Sequence, residues 1–486
     1  MFIINNFSNM LKKKIYSVED AEKLTINEVI ELYKKYINPN QAQIFSNLPY
    51  GKDIFSSAKG VYIHTSDGKK ILDFTGGLGV LGLGHNHENI LASRIKFQEK
   101  NRMEVHKIVF SQYMAALSHN IACLLPEKLN KSFFLNSGAE AVEAAIKICF
   151  KSFKSKRKYI LYSDKSYHGK LIGSGSISGS YRKDNQFPLM NNCINFKFND
   201  PVDLENKIEN LKSKGEVYSV IIEPYSASML TSCSDNFINK LNELRDKYGF
   251  RIVFDEVFTG WYKSEKLFYF QNFKNQIVPD VITLSKSMGG GKSSISCMVV
   301  NDDVYNKAYG GLSDTFLHTT TYNGFAEECI TAIEATNLFA TEEFKNKAKN
   351  LSNYLKKKLL EIKNKHQSKI YEVKGTGILN GIVFKSFSTE IAKIIEKFPI
   401  KLISDKSFFL RKLTATVISC ELYEKHNILA AVSDSSNSNH LIVSPSIIIN
   451  NEEIDFFFEK LDDVLVKGAS LKSLEIIFNF LKSKIK

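Results

Sequence analysis

Between about residues 105 and 325, short apolar runs alternate with amphipathic helical patterns, and this alternation limits the fold more than any other feature of the chain. The runs SFFL (132–135), YILYS (159–163), YSVIIEP (218–224), FRIVFDE (250–256) and VITLS (281–285) have the length and residue types of buried strands. A helical pattern, NFINKLNELRDKYG (236–249), separates the third from the fourth. Strands apolar on both faces and joined by helices make right-handed βαβ units, so a parallel sheet covered on both sides is expected.

The flanks differ in texture. LTINEVIELYKKYI (24–37) reads as a helix that stops before Asn38-Pro39, and GVYIHTSDGKKILDFTGG reads as a hairpin turning at Asp67-Gly68. From about residue 340 a lysine-rich helix (342–365) precedes a strand pair in YEVKGTGILNGIVF and a short strand in LIVSP (441–445), the pattern of a smaller α+β domain.

Composition narrows the class. No apolar run reaches the roughly 18 residues that mark a membrane-spanning helix, and MFIINNFSNMLKKK puts its apolar residues before its basic ones, the reverse of a secretory leader. Seven scattered cysteines without a C-x-x-C pair point to reduced thiols in a cytoplasm and to no metal site. The net charge of +13 comes from 58 lysines and only 7 arginines spread along the chain, which suits solvated faces better than a nucleic-acid surface. The tail SLKSLEIIFNFLKSKIK is expected to be a basic amphipathic helix packed on its own domain, with no membrane partner.

Ligands of parallel sheets bind at the carboxyl ends of the strands. Three runs here end in ionisable residues: Glu223, Asp255 with Glu256, and Lys286. Directly after SFFL, Ser137 and Glu140 form an S-x-x-E capping box opening the alanine-rich NSGAEAVEAAIKI. There Gly138 lets backbone amides approach an anion, with the Ser137 hydroxyl as an added donor. SYHGK (166–170) places Tyr167 and His168 after another strand, and Tyr167 offers a flat face for a ring. Taken singly, these are a capped helix, a structural histidine and a lysine reaching for water. Together they match the needs of pyridoxal phosphate: an amine to hold it as an imine, a carboxylate to keep its ring nitrogen protonated, and a phosphate cradle. A lysine desolvated at a strand end is uncharged part of the time, as a nucleophile must be.

With these residues in view, the chain resembles the class III, fold-type-I pyridoxal-phosphate aminotransferases over roughly residues 50–465. The diagnostic run is VFDEVFTG…KLF…PDVITLSKSMGGG, with NSGAEAVEAAIK and YHGK upstream. FLHTTTYNG (316–324) and INEVIELYKKYINP are most similar to the putrescine aminotransferase branch, among the omega-transaminases. The resemblance implies an α/β fold with a large domain (96–340) built on a mostly parallel sheet, a small C-terminal α+β domain (341–486), and an N-terminal segment (1–95) packing with the small domain and a dimer partner. It implies that Lys286 forms the imine and shuttles the proton, and that Asp255 pairs with the ring nitrogen. Val257 and Tyr167 would flank the ring, with His168 and Glu223 beside it. Ser137, Gly138 and Ala139 would hold the phosphate, joined by Thr321 of the neighbouring subunit in a homodimer with shared sites.

Departures from the family pattern bear on substrate. Phe258 stands where a glutamine is usual. Ser228, in EPYSAS, replaces a glutamate, and Ile442, in LIVSPS, replaces the arginine that binds an amino acid α-carboxylate. Losing that pair together is coherent, because either charge alone would be buried without a partner. The expected activity is amino transfer between a primary amine of omega-amine or diamine type and an aldehyde or ketone, with weak use of glutamate unless Arg182 or Arg411 substitutes. The alternatives are a related enzyme on a specialised substrate, tethered to an acyl carrier protein or undergoing an internal amino shift, and an inactive scaffold.

Overall fold

The structure is a computed structural model that describes residues 15–182, 188–275, 277–385, 406–433 and 438–468. The expected C-terminal helix of residues 470–486 therefore lies outside the described residues.

The five strands expected from the apolar runs form, and two more join them. Across the central sheet the order is Leu129–Leu135, Ser296–Asn301, Val281–Leu284, Arg251–Asp255, Val217–Ile222, Tyr159–Ser163 and Cys193–Phe196. All run parallel except Ser296–Asn301, which is antiparallel to both its neighbours. CINF and SCMVVN were not legible as strands, because each is short and includes polar residues. Alternate side chains go to opposite faces: Ile252, Phe254, Ile282 and Leu284 enter one apolar cluster, and Val253, Val281 and Ile221 the other. Helices cover both faces, as the fully apolar strands demand. Gly138–Lys151 buries Ala141, Val142, Ala145 and Ile148 on one side, and Asp235–Tyr248 buries Phe237, Leu241 and Leu244 on the other.

Strands Tyr62–Thr65 and Lys70–Asp73 pair as the expected hairpin, and their sheet adds Phe55–Lys59 on one edge and Ile428–Leu429, from the far end of the chain, on the other. The C-terminal strands Ile370–Thr376, Leu379–Phe384 and Leu441–Val443 make an antiparallel sheet against which helices Glu342–Lys365 and Lys406–His426 pack, and Asn451–Lys467 packs on both of these helices. The N-terminal helix is shorter than expected. Ile26–Leu32 is followed by a wide turn, Tyr33–Ile37, closed by the Asn38 amide donating to Tyr33 O at 2.8 Å. Asn38 then caps the next helix by accepting from the Asn40 and Gln41 amides, with Pro39 at the first helical position.

Among the described residues no helix is long and apolar enough to cross a membrane. None of the seven cysteines forms a disulfide.

Candidate active site

The strands Val217–Ile222, Arg251–Asp255 and Val281–Leu284 are consecutive in the sheet and parallel, with Val253 opposite both Ile221 and Val281. Their carboxyl ends therefore bring Glu223, Asp255 and Lys286 to one edge. Asp255 is buried and held by three donors. His168 Nδ1 lies 2.7 Å from Oδ2, while Thr283 Oγ1 and the Val257 amide each reach Oδ1 at 3.0 Å. With its Nδ1 proton directed at Asp255, His168 leaves Nε2 buried without a partner. The Glu223 carboxylate accepts the Tyr167 amide at 2.9 Å. Burial pushes the Glu223 pKa up to about 7; His168 opposes the shift and Asp255 adds to it.

Lys286 follows an extended Ser285 and has φ +53°, a left-handed conformation that costs a residue with a Cβ on the order of 1 kcal/mol. The turn Lys286–Gly289 then leaves the strand abruptly and keeps the side chain at the sheet edge. Burial lowers the pKa of its ammonium, against the pull of the Asp255 and Glu223 carboxylates. Its Nζ sits 4.9 Å from the centre of the Phe258 ring, which offers a cation the face of a π-system but no hydrogen bond.

The helix Gly138–Lys151 opens as its capping box requires. Ser137 Oγ accepts the Glu140 amide at 3.3 Å, and the Glu140 carboxylate accepts the Asn136 and Ser137 amides at 2.8 and 3.0 Å. The Gly138 and Ala139 amides, first in the helix, have no intrahelical acceptor. A Cβ on Gly138 would lie 2.6 Å from Val257 Cγ1, so only glycine lets this helix end approach the Asp255 loop. Gly138 thus packs against Val257, whose amide binds Asp255. Tyr167, exposed, is tied through its amide to Glu223.

Other candidates lie elsewhere. Thr321 is exposed, in a loop that Lys107 Nζ fixes by donating to Thr320 O at 2.9 Å. Glu256 turns into the core, where its carboxylate accepts the Tyr269 and Phe270 amides at 2.9 and 2.8 Å and the Thr259 hydroxyl. Arg411 does not join the cluster. Its guanidinium stacks 3.9 Å from the ring centre of Tyr371, an exposed residue of the C-terminal sheet. The side chain of Arg182 lies outside the described residues. Ser228 meets Ser226 Oγ at 3.3 Å and accepts the Ser438 hydroxyl through its carbonyl. Ile442 pairs with Gly381, over which Leu230 and His440 pack. The segments carrying the two substitutions thus adjoin, and neither residue brings a charge there.

Sequence reasoning missed two participants. Thr283 was read only as part of a buried strand, although its register opposite Asp255 directs its hydroxyl at that carboxylate. Lys263, fully buried, appeared only as one of many lysines.

The fold thus sets Lys286 at one strand end, Asp255 at the next, and the Gly138 helix N-terminus against Val257, which binds Asp255. Residues 51–465 match the family model for class III aminotransferases, and the chain belongs to that family. It is an aminotransferase, an enzyme that moves an amino group between an amine and a carbonyl compound, and its family is pyridoxal-phosphate-dependent. A putrescine aminotransferase of Pectobacterium atrosepticum is 26% identical over 450 residues, covering 90% of this chain and 89% of that protein. The aminotransferase PigE of a Serratia species is 26% identical over 456 residues, and the chain spans 52% of its length. Among solved structures, a transaminase from a marine Virgibacillus superposes with a TM-score of 0.77 at 21% identity over 90% of this chain and 98% of that one. The taurine:2-oxoglutarate aminotransferase of Bifidobacterium kashiwanohense, solved with pyridoxal phosphate and glutamate, gives 0.74 at 21% identity over 92% of this chain and 98% of that one.

Proposed function

We propose that the chain binds pyridoxal phosphate at this site and transfers amino groups between a primary amine of omega-amine or diamine type and an aldehyde or ketone. The observation that carries the reading is the adjacency of Asp255, fixed by three donors, and Lys286, whose burial favours the uncharged amine. The residues present fit the group. The glycine-opened helix end offers unpaired amides to a phosphate, the His168–Asp255 pair offers a held carboxylate to a ring nitrogen, and Val257 packs between them, with Tyr167 tied to Glu223 nearby.

When bound, pyridoxal phosphate supplies an aldehyde carbon and an electron-withdrawing ring. Lys286 would hold that carbon covalently and carry the proton at the substrate carbon. Asp255, kept in place by His168, Thr283 and the Val257 amide, would keep the ring nitrogen protonated. Ser137, Gly138 and Ala139 would bind the phosphate, and Glu223 would face the ring's polar edge. In a homodimer, Thr321 of one subunit would complete the phosphate site of the other. Neither Ser228 nor Ile442 itself offers a charge to pair with an α-carboxylate, which favours substrates lacking one. The putrescine-named relative supports a diamine donor. That none of the seven cysteines is disulfide-bonded supports a reducing, cytoplasmic setting.

The test is borohydride reduction of the protein loaded with pyridoxal phosphate, followed by peptide mass analysis. A cofactor adduct on the Lys286 peptide is expected, together with a visible band that primary amines bleach. An adduct elsewhere, or none, would sink the reading.

A further inference from the structure

Lys263 lies in the loop after strand Arg251–Asp255 and has no exposed surface. Its Nζ donates to Gly79 O at 3.0 Å and to Ser287 Oγ at 3.1 Å. The Ser287 hydroxyl in turn donates to the same Gly79 carbonyl at 2.9 Å, closing a three-membered network. Ser287 is the neighbour of Lys286. Gly79, at φ +86°, has its missing Cβ position 3.2 Å from the Phe258 ring and 3.4 Å from Lys286 Cδ. The backbone carbonyl of Lys263 accepts the Ile378 amide at 3.0 Å, from the turn of the C-terminal hairpin. One residue thus ties the glycine turn at 76–79, the lysine turn at 286–289 and the C-terminal sheet together.

Donor counting sets the charge. An ammonium carries three N–H groups and a neutral amine two. Nζ meets two acceptors at zero exposure, and among the described residues it forms no ion pair. A third N–H would meet no oxygen acceptor, only the Phe258 ring with its centre 6.0 Å away, and would stand next to a second lysine. Burial lowers the Lys263 pKa well below its ordinary value, Lys286 adds to that, and Glu256 opposes it.

We propose that Lys263 is an uncharged positioning residue whose neutral amine clamps the Gly76–Gly79 turn against Ser287, shaping the wall beside Lys286 without placing a second positive charge in the site. This rests on the reading of Lys286 given under Proposed function.

Competitive acetylation with acetic anhydride, read on the Lys286 peptide across pH, titrates Lys286 without any need for cofactor. Lys263→Met is expected to leave the Lys286 titration where it is in the parent, since no charge is removed. Lys263→Arg installs a permanent charge and should lower it by about one pH unit or more. A rise in the Lys263→Met variant, or no change in Lys263→Arg, would show that Lys263 is charged and overturn the proposal. The clamp is tested separately: Ser287→Ala, a small change that removes one acceptor, should release bound pyridoxal phosphate about tenfold faster than the parent. An unchanged release rate would overturn it. Should Lys263→Arg fail to fold, ¹³Cε-lysine NMR of the parent decides the charge, the Lys263 signal being the one lost in Lys263→Met. A neutral-amine shift at pH 7 is expected, and an ammonium shift overturns the proposal. If borohydride adds no cofactor to Lys286, the functional reading fails while these titrations still report the charge of Lys263.

Discussion

His168 Nδ1 lies 2.7 Å from Asp255 Oδ2, and both side chains are buried although they are 87 positions apart in the chain. The contact joins the loop after strand Tyr159–Ser163 to the end of strand Arg251–Asp255, two strands away across the sheet. It fixes the orientation of the carboxylate on which the proposed chemistry depends.

Truncation of His168 tests that dependence. His168→Ala removes one of three donors to a buried carboxylate, a loss of about 1–3 kcal/mol. Cofactor affinity measured by equilibrium dialysis should fall by roughly tenfold or more, and His168→Asn, which can still donate, should recover part of it.

Lys286→Ala should abolish the borohydride-stable adduct and lower turnover by roughly 10²–10⁴-fold, the usual worth of a positioned proton carrier, or more. The fold should persist, because removing a desolvated amine leaves the apolar strand Val281–Leu284 untouched. Circular dichroism alongside single-turnover kinetics checks both halves.

Gly138→Ala would drive a Cβ to 2.6 Å from Val257 Cγ1. The helix end must then back away from the Asp255 loop, at about 1–3 kcal/mol. Affinity for pyridoxal phosphate should drop while affinity for the phosphate-free aldehyde changes little. Val257→Ala in the same chain should relieve the clash.

Restoring charges at the substituted positions addresses the substrate. The parent should react readily with diamines and omega-amines and poorly with glutamate. Ile442→Arg alone adds an unpaired cation and should destabilise the protein, whereas Ile442→Arg with Ser228→Glu should be better tolerated and gain glutamate half-reaction. Rapid reaction of the parent with glutamate at low concentration would refute this account of Ile442.

Glu256 gives a pH signature. Its folded pKa is raised from an ordinary 4.5 to about 7, burial outweighing its hydrogen bonds to Thr259, Tyr269 and Phe270. A carboxyl with a raised folded pKa binds more protons folded than unfolded, so its contribution is present below about pH 4.5 and lost as pH rises to about 7. That loss is at most about 3 kcal/mol. Urea unfolding of Glu256→Gln should show a correspondingly flatter stability profile across this window than the parent.

Much of the architecture was legible because it is written in local terms. The Ser137–Glu140 capping box, the Asp67-Gly68 hairpin and the helix over 342–365 depend on hydrogen bonds and periodicity within a few residues, and each forms where expected. The strands of the central sheet showed themselves because burial on both faces demands unbroken apolar runs. From these, the three charged strand ends and the likeness to class III aminotransferases followed without coordinates. Tertiary structure alone decided the rest. The reversed strand Ser296–Asn301 slots between two parallel ones, and its short, partly polar run gives no local sign of direction. The left-handed Lys286, the Phe258 ring beneath its amine and the removal of Arg411 to Tyr371 also depend on which segments meet. So does the state of Lys263: a lysine is charged by default, and only complete burial against two acceptors, beside another lysine, makes the neutral amine the cheaper form.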